Sequence, residues 1–197
     1  MDTQRLERQL EFIIEIDKLK KVLRQSPLTD GSRRENTAEH SWHIAVMTLV
    51  LAEHADCTGI DICRVVKMLL IHDLVEIDAG DTFCYDAAAV KDQPRREAAA
   101  ADRIFTLLPD DQAAAFRGLW EDFQENRSPD ARFANAMDRF QPLLHNAASG
   151  GGTWRRFDVK RGQVVARNRP ISQGAPRLWQ RALELIDRAV AEGVLAP

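Results

Sequence analysis

Cysteine is scarce in this chain: Cys57, Cys63 and Cys84 are an odd number with no CxxC spacing. That argues against a disulfide framework and a zinc-thiolate cluster, and it fits a reducing cytoplasm. Long apolar runs are missing as well, and no stretch approaches the roughly 18 uninterrupted apolar residues of a membrane span. The opening stretch "MDTQRLERQLEFIIEIDKLKK" has acids and bases throughout, so it is not read as a signal peptide. Basic charge is not in excess either. The formal net charge of −3 speaks against a nucleic-acid-binding surface. Nothing repeats at a fixed period, and no alternating β pattern stands out. These absences leave a soluble cytoplasmic protein without a nucleic-acid or membrane partner.

What is present is enough for one domain with a sizeable core across residues 1–197. A hydrophobic share of 45% beside 29% charged residues is that of a globular chain rather than a disordered one. Residues 4–23 carry Leu6, Leu10, Ile13, Ile14, Leu19 and Val22 at helical spacing. Pro27 and Gly31 then mark a loop. Asn36 followed by Glu39 reads as a capping box opening a second helix to about Ala55. A third helix is expected over about 60–78, stopping at Gly80. Pro94, Pro109 and Ser128-Pro129 are read as helix starts, the last of these helices running to about Ala148. "SGGG" at 149–152 is read as a flexible break. A short helix near 159–168 and a last one over 176–192 complete an all-α bundle of seven or eight helices.

Two short segments concentrate the chemistry: "ENTAEHSWH" at 35–43 and "LIHDLVEIDAGD" at 70–81. Asp73 lies in an apolar helical stretch and needs a partner, because an isolated buried carboxylate is costly. His72 and Asp73 can both reach an ion lying over the helix edge. An Asp73 salt bridge with His72 packed beside it is the plainer alternative. Glu76 follows His72 by four residues and Asp73 by three, on the same helical face, where a carboxylate can orient or deprotonate a water. Asp81 sits just beyond Gly80. His40 and His43 are one turn apart, so both or only one could face an ion. His54 and His145 are read as structural. Asp138, in "NAMDRFQPLL", again needs a partner. Imidazoles with carboxylates suit Mn, Fe, Co, Ni or Zn better than Ca.

At this point the residues resemble a known family. His40, His72-Asp73 and Asp138 follow the H…HD…D pattern of the HD-domain metal-dependent phosphohydrolases. "RRENTAEH" at 33–40 and "HDLVEIDAGD" at 72–81 look like segments of the bacterial 5'-deoxynucleotidases, and the resemblance covers about residues 10–150. It implies that His40, His72, Asp73 and Asp138 hold one divalent metal, Mn, Co, Zn, Fe or Ni, with Mg admissible. It also implies that Glu76 and Asp81 are the acids beside the nucleophilic water. A homodimer follows from the resemblance alone.

The departures narrow the subgroup. Cyclic-dinucleotide phosphodiesterases of the superfamily carry a Lys after H-D-x-G, where this chain has Val75-Glu76. Guanosine tetraphosphate hydrolases have Glu-Asp where this chain has Glu76-Ile77. The 5'-deoxynucleotidases carry an Arg-Trp pair that grips phosphate and excludes a 2'-hydroxyl. Gap-free counting puts Gln25-Ser26 there, one residue after Arg24. Arg24 or Arg33 is the candidate phosphate contact, and no residue takes the place of the tryptophan.

The function expected is hydrolysis of a small phosphorylated substrate, a nucleoside or deoxynucleoside 5'-monophosphate. Three alternatives stay open at this level: an HD hydrolase of another phosphoester or phosphoanhydride, a non-enzymatic protein tied together by a structural ion, and a regulatory helical binding module.

Overall fold

The computed structural model describes residues 3–197. The chain folds, in order, into α1 (Thr3–Ile16), a 3-10 turn, the strands β1 (Leu23–Pro27) and β2 (Arg34–Asn36), α2 (Thr37–Leu51) and α3 (Ile62–Ile71). There follow α4 (Glu76–Ala79), α5 (Ala87–Phe105), α6 (Asp110–Glu125), α7 (Pro129–Ala148), α8 (Gly152–Arg156), α9 (Arg161–Asn168), α10 (Ile171–Gly174) and α11 (Pro176–Ala191). The architecture is all-α apart from one antiparallel ribbon, in which Leu23 pairs with Asn36 and Pro27 with Arg34. No helix among the described residues is long and apolar enough to cross a membrane.

The central element is α7. It packs against α2, α3, α6, α10 and α11, and Ala131, Phe133, Ala134, Met137, Phe140 and Leu143 on it are buried. A helix apolar around most of its circumference belongs inside a bundle. One core gathers around it, joining Ile44, Val65, Met68, Ile171, Ile186 and Leu195. A second core lies under α5 and includes Phe12, Leu74, Ile104, Phe105 and Trp120.

Several local readings of the sequence need correction. The first helix stops at Ile16, continues as a 3-10 turn over Asp17–Lys21, and Val22 is extended. Of its apolar stripe, Leu6, Leu10, Ile13 and Ile14 stay exposed while Phe12 is buried. The expected third helix is broken: α3 ends at Ile71, and tight bonds from Leu74 N to Ile71 O and from Glu76 N to Asp73 O carry the chain into α4. Pro94 does not start a helix. The α5 helix begins seven residues earlier, where the Asp86 side chain accepts from Ala88 N and Ala89 N. Pro94 lies on an exposed side, where the alanine-rich helix tolerates the loss of one backbone bond.

"SGGG" is an ordered turn rather than a loose break. Gly150, Gly151 and Gly152 all have positive φ, a conformation glycine adopts without steric cost. The Asn146 carboxamide oxygen accepts from the amide and hydroxyl of Thr153 and ties the turn to α7.

Candidate metal centre

The capping box places the first histidine. Asn36 accepts from the Glu39 amide at 2.9 Å, and Glu39 accepts from the Asn36 amide at 3.1 Å, which fixes the start of α2. His40 then sits one turn in, fully buried. The break after α3 places the second histidine: His72 caps that helix and packs on Phe123, with ring centroids 4.7 Å apart. Asp138 reaches the same point from the middle of α7.

Four side chains meet there. His72 Nε2 lies 3.0 Å from Asp73 Oδ1 and 3.7 Å from Asp138 Oδ1. His40 Nε2 lies 3.1 Å from Asp138 Oδ1 and 3.9 Å from Asp73 Oδ2. Ligand atoms of His40, His72 and Asp73 all fall within 4.8 Å of one another.

Both imidazoles are oriented from behind. His72 Nδ1 donates to the Leu69 carbonyl at 2.9 Å, which turns Nε2 toward the cluster, buried and without a hydrogen-bond partner. His40 Nδ1 lies 3.2 Å from Gln141 Oε1, with Nε2 again turned inward. Orienting the far nitrogen is how proteins prepare a histidine for a metal. These buried donors fit a divalent cation.

Charge says the same. Burial works against an imidazolium at His72, but Asp73 and Asp138 outweigh it and push the group up to about 10. At His40 burial, aided by Arg24, pulls the imidazole down to about 4. Burial also works against ionised Asp138, yet the imidazoles of His40 and His72 beside it hold its carboxyl well below the usual range. Burial raises Glu76 well above an ordinary glutamate, with Asp73 adding to it, and Thr37 donates to Glu76 Oε2 at 2.9 Å. Asp81 is raised by burial and by Asp73. Arg24 is set against these acids, its Nη1 3.0 Å from Asp73 Oδ2 and 3.9 Å from Asp81 Oδ1. The raised His72, Glu76 and Asp81 show protons held where the acids outnumber the one guanidinium, and a cation would take their place.

The structure therefore gathers His40, His72, Asp73, Asp138, Glu76, Asp81 and Arg24 at one site. It does not bring Arg33 there. That side chain is exposed and grips both oxygens of Glu39, at 2.8 and 2.6 Å. His43 also turns away, stacking near His145 at 5.3 Å.

Two further residues join the site from behind. Buried Gln141 sends its amide nitrogen 2.7 Å from Glu35 Oε1 and 3.1 Å from His145 Nε2. Glu35, His43 and His145 also bring three ligand atoms together, but the Gln141 amide nitrogen already sits among them, 3.3 Å from His43 Nδ1. Burial pushes Glu35 up to about 7, against the pull of Arg24. A signal for Gln141 does exist in the sequence, since Asp138, Gln141 and His145 form a polar i, i+3, i+7 stripe on an otherwise apolar helix.

The site opens into a cavity of about 100 Å³ whose wall includes Arg24, Gln25, Asp81, Asp138, Tyr85 and Arg167.

Residues 16–179 match the family model described as HD domain. The human 5'-deoxynucleotidase HDDC2 is 30% identical over 136 residues, which is 68% of this chain and 65% of that protein. The chain thus spans just under two thirds of the length of that curated relative. A 5'-deoxynucleotidase from Erwinia tasmaniensis is 24% identical over 167 residues, 80% of this chain and 84% of that one. A solved structure of a predicted metal-dependent phosphohydrolase from Magnetospirillum magnetotacticum superposes with a TM-score of 0.93 at 54% identity, covering 98% of this chain and all of that one.

Proposed function

This chain belongs to the HD domain family, and from that membership and the geometry of its metal centre we propose that it is a metal-dependent phosphohydrolase of phosphate monoesters. The substrate class is nucleoside and deoxynucleoside 5'-monophosphates. The observation that carries this reading is the convergence of His40 Nε2, His72 Nε2, Asp73 and Asp138, with Arg24 alongside, at the edge of an open cavity.

His40, His72, Asp73 and Asp138 would hold one divalent ion, and this nitrogen and oxygen donor set favours Mn, Fe, Co, Ni or Zn, with Mg admissible. The ion, when bound, supplies Lewis-acid chemistry: it polarises a phosphoryl oxygen and acidifies water. Arg24 compensates phosphate charge and offers a guanidinium fork to its oxygens. Glu76, oriented by Thr37 and raised by burial, takes the proton of the attacking water. Asp81, also raised, hands a proton to the departing alkoxide oxygen. Gln25 and Ser26 stand beside Arg24 in the wall, while the tryptophan of the cavity, Trp154, comes from α8, and the ratio of ribo- to deoxyribonucleotide turnover decides the sugar preference.

Several features support the wider reading. The main core runs from Ile44 to Leu195, consistent with residues 1–197 forming one HD unit. Trp42, Val46, Leu49 and Val50 are exposed together on α2, which supports a homodimer. Three free thiols support a cytoplasmic setting.

The test is phosphate release from a panel of ribo- and deoxyribonucleoside monophosphates, with Mn, Co, Zn and Mg each added back to chelator-treated protein. Metal-dependent release is expected. Silence on the whole panel, from protein that binds metal tightly, would overturn the nucleotidase reading.

A further inference from the structure

The cavity holds two cations that the proposed chemistry does not use. Arg139 follows Asp138 on α7, and consecutive helical residues point about 100° apart. Asp138 turns to the two histidines, so Arg139 is aimed away from them. Its Nη1 donates to the Arg167 carbonyl on α9 at 2.8 Å, and its Nε is buried without a partner. The Arg167 guanidinium lies against the Cys84 thiol in the same wall. Among the described residues, no carboxylate lies within salt-bridge distance of either arginine.

Arg24 differs in this respect, being held by Asp73 beside the metal centre. The cavity therefore carries one ion-paired guanidinium at its reactive end and two without an ion-pair partner elsewhere on its wall. Two like charges facing one space repel each other unless an anion joins them, and paired guanidinium forks match a phosphate dianion.

We propose that Arg139 and Arg167 form a second anion subsite, which takes a phosphate of the substrate other than the one cleaved, so that preferred substrates are nucleoside bisphosphates. The inference rests on the phosphomonoesterase reading for the group that is cleaved. It also gives the C-terminal segment a task, since Arg167 lies on α9, beyond the turn that follows α7.

The experiment compares kcat/KM for a nucleoside 3',5'-bisphosphate and for the matching 5'-monophosphate, using Mn-loaded wild type, Arg139→Gln and Arg167→Gln. Wild type is expected to favour the bisphosphate at least tenfold, and each variant to bring the ratio close to one, chiefly through KM. Arg167 is exposed, so its variant keeps the test clear of folding effects. A wild-type ratio near one, or a high ratio that survives both substitutions, overturns the subsite.

If wild type cleaves neither nucleotide, the hydrolase reading has failed and the subsite is judged by binding alone. Calorimetry with inorganic pyrophosphate on chelator-treated protein then decides. Binding weakened at least tenfold by Arg167→Gln upholds the subsite, and unchanged or undetectable binding overturns it.

Discussion

The Leu69 carbonyl oxygen accepts from His72 Nδ1 at 2.9 Å, and this one bond settles which imidazole nitrogen faces Asp73 and Asp138. Nε2 is thereby held toward a buried, acid-rich corner, where an ion would take the place of its proton. With His72→Ala, metal content measured by mass spectrometry should fall below about a tenth of wild type, and phosphate release at least about a hundredfold. Asp73→Asn should behave alike. A variant with full turnover would refute the assignment of both ligands.

Gln141 acts one step further back. It faces His40 with its carboxamide oxygen and joins Glu35 and His145 with its nitrogen. Gln141→Leu removes the contact that orients His40 and leaves buried acceptors unpaired. Metal affinity should weaken about 10–100-fold, and stability should fall by about 1–3 kcal/mol. Metal titration alongside thermal melting checks both. Parental affinity in this variant would show that His40 needs no such support.

Glu35 links the site to pH. Its folded value of about 7 lies above the ordinary 4.5, so the folded state keeps a proton that the unfolded chain has released. Its contribution to stability is complete below about pH 4.5 and is lost as pH rises toward 7, by about 3 kcal/mol at most. His40, lowered to about 4, slopes the opposite way between about 4 and 6.5. The informative quantity is therefore the difference between wild type and Glu35→Gln in chelator-treated protein. Denaturant melts at several pH values should show that difference changing over pH 4.5–7, and parallel curves would contradict it.

Gly174 marks the closest approach of the C-terminal part to α7. A Cβ there would stand 2.1 Å from the Arg132 carbonyl oxygen and 2.8 Å from the Phe133 nitrogen, both backbone atoms. Gly174→Ala should cost about 2 kcal/mol or more, because backbone cannot give way as a flexible side chain can. An unchanged melting temperature would mean that α10 shifts freely.

The sequence shows many of these features before any fold is known, and for identifiable reasons. Asn36 with Glu39, Ser128 with Pro129 and Pro176 with Gly193 are local punctuation, and helices start or stop at each of them. His40, His72, Asp73 and Asp138 stand out because buried acids and imidazoles need partners. The break after Ile71 is not legible, since its cause is tertiary: the chain turns so that His72 and Asp73 both face Asp138. Pro94 misleads because Asp86 and the alanines that follow it begin the helix sooner. Arg33 misleads because the acid that holds it is Glu39, six residues on, rather than the nearer Asp30 or Glu35. Arg167 cannot be placed at all from sequence, as only the packing of the chain after α7 brings α9 to the cavity.

The donors of the metal centre come from α2, the end of α3 and the middle of α7, none of which carries more than part of the set. A collapsed state with native helix content and loose packing would therefore take up almost no ion. Metal uptake during refolding reports on complete tertiary assembly, and it should lag behind the far-ultraviolet signal whenever helices form first.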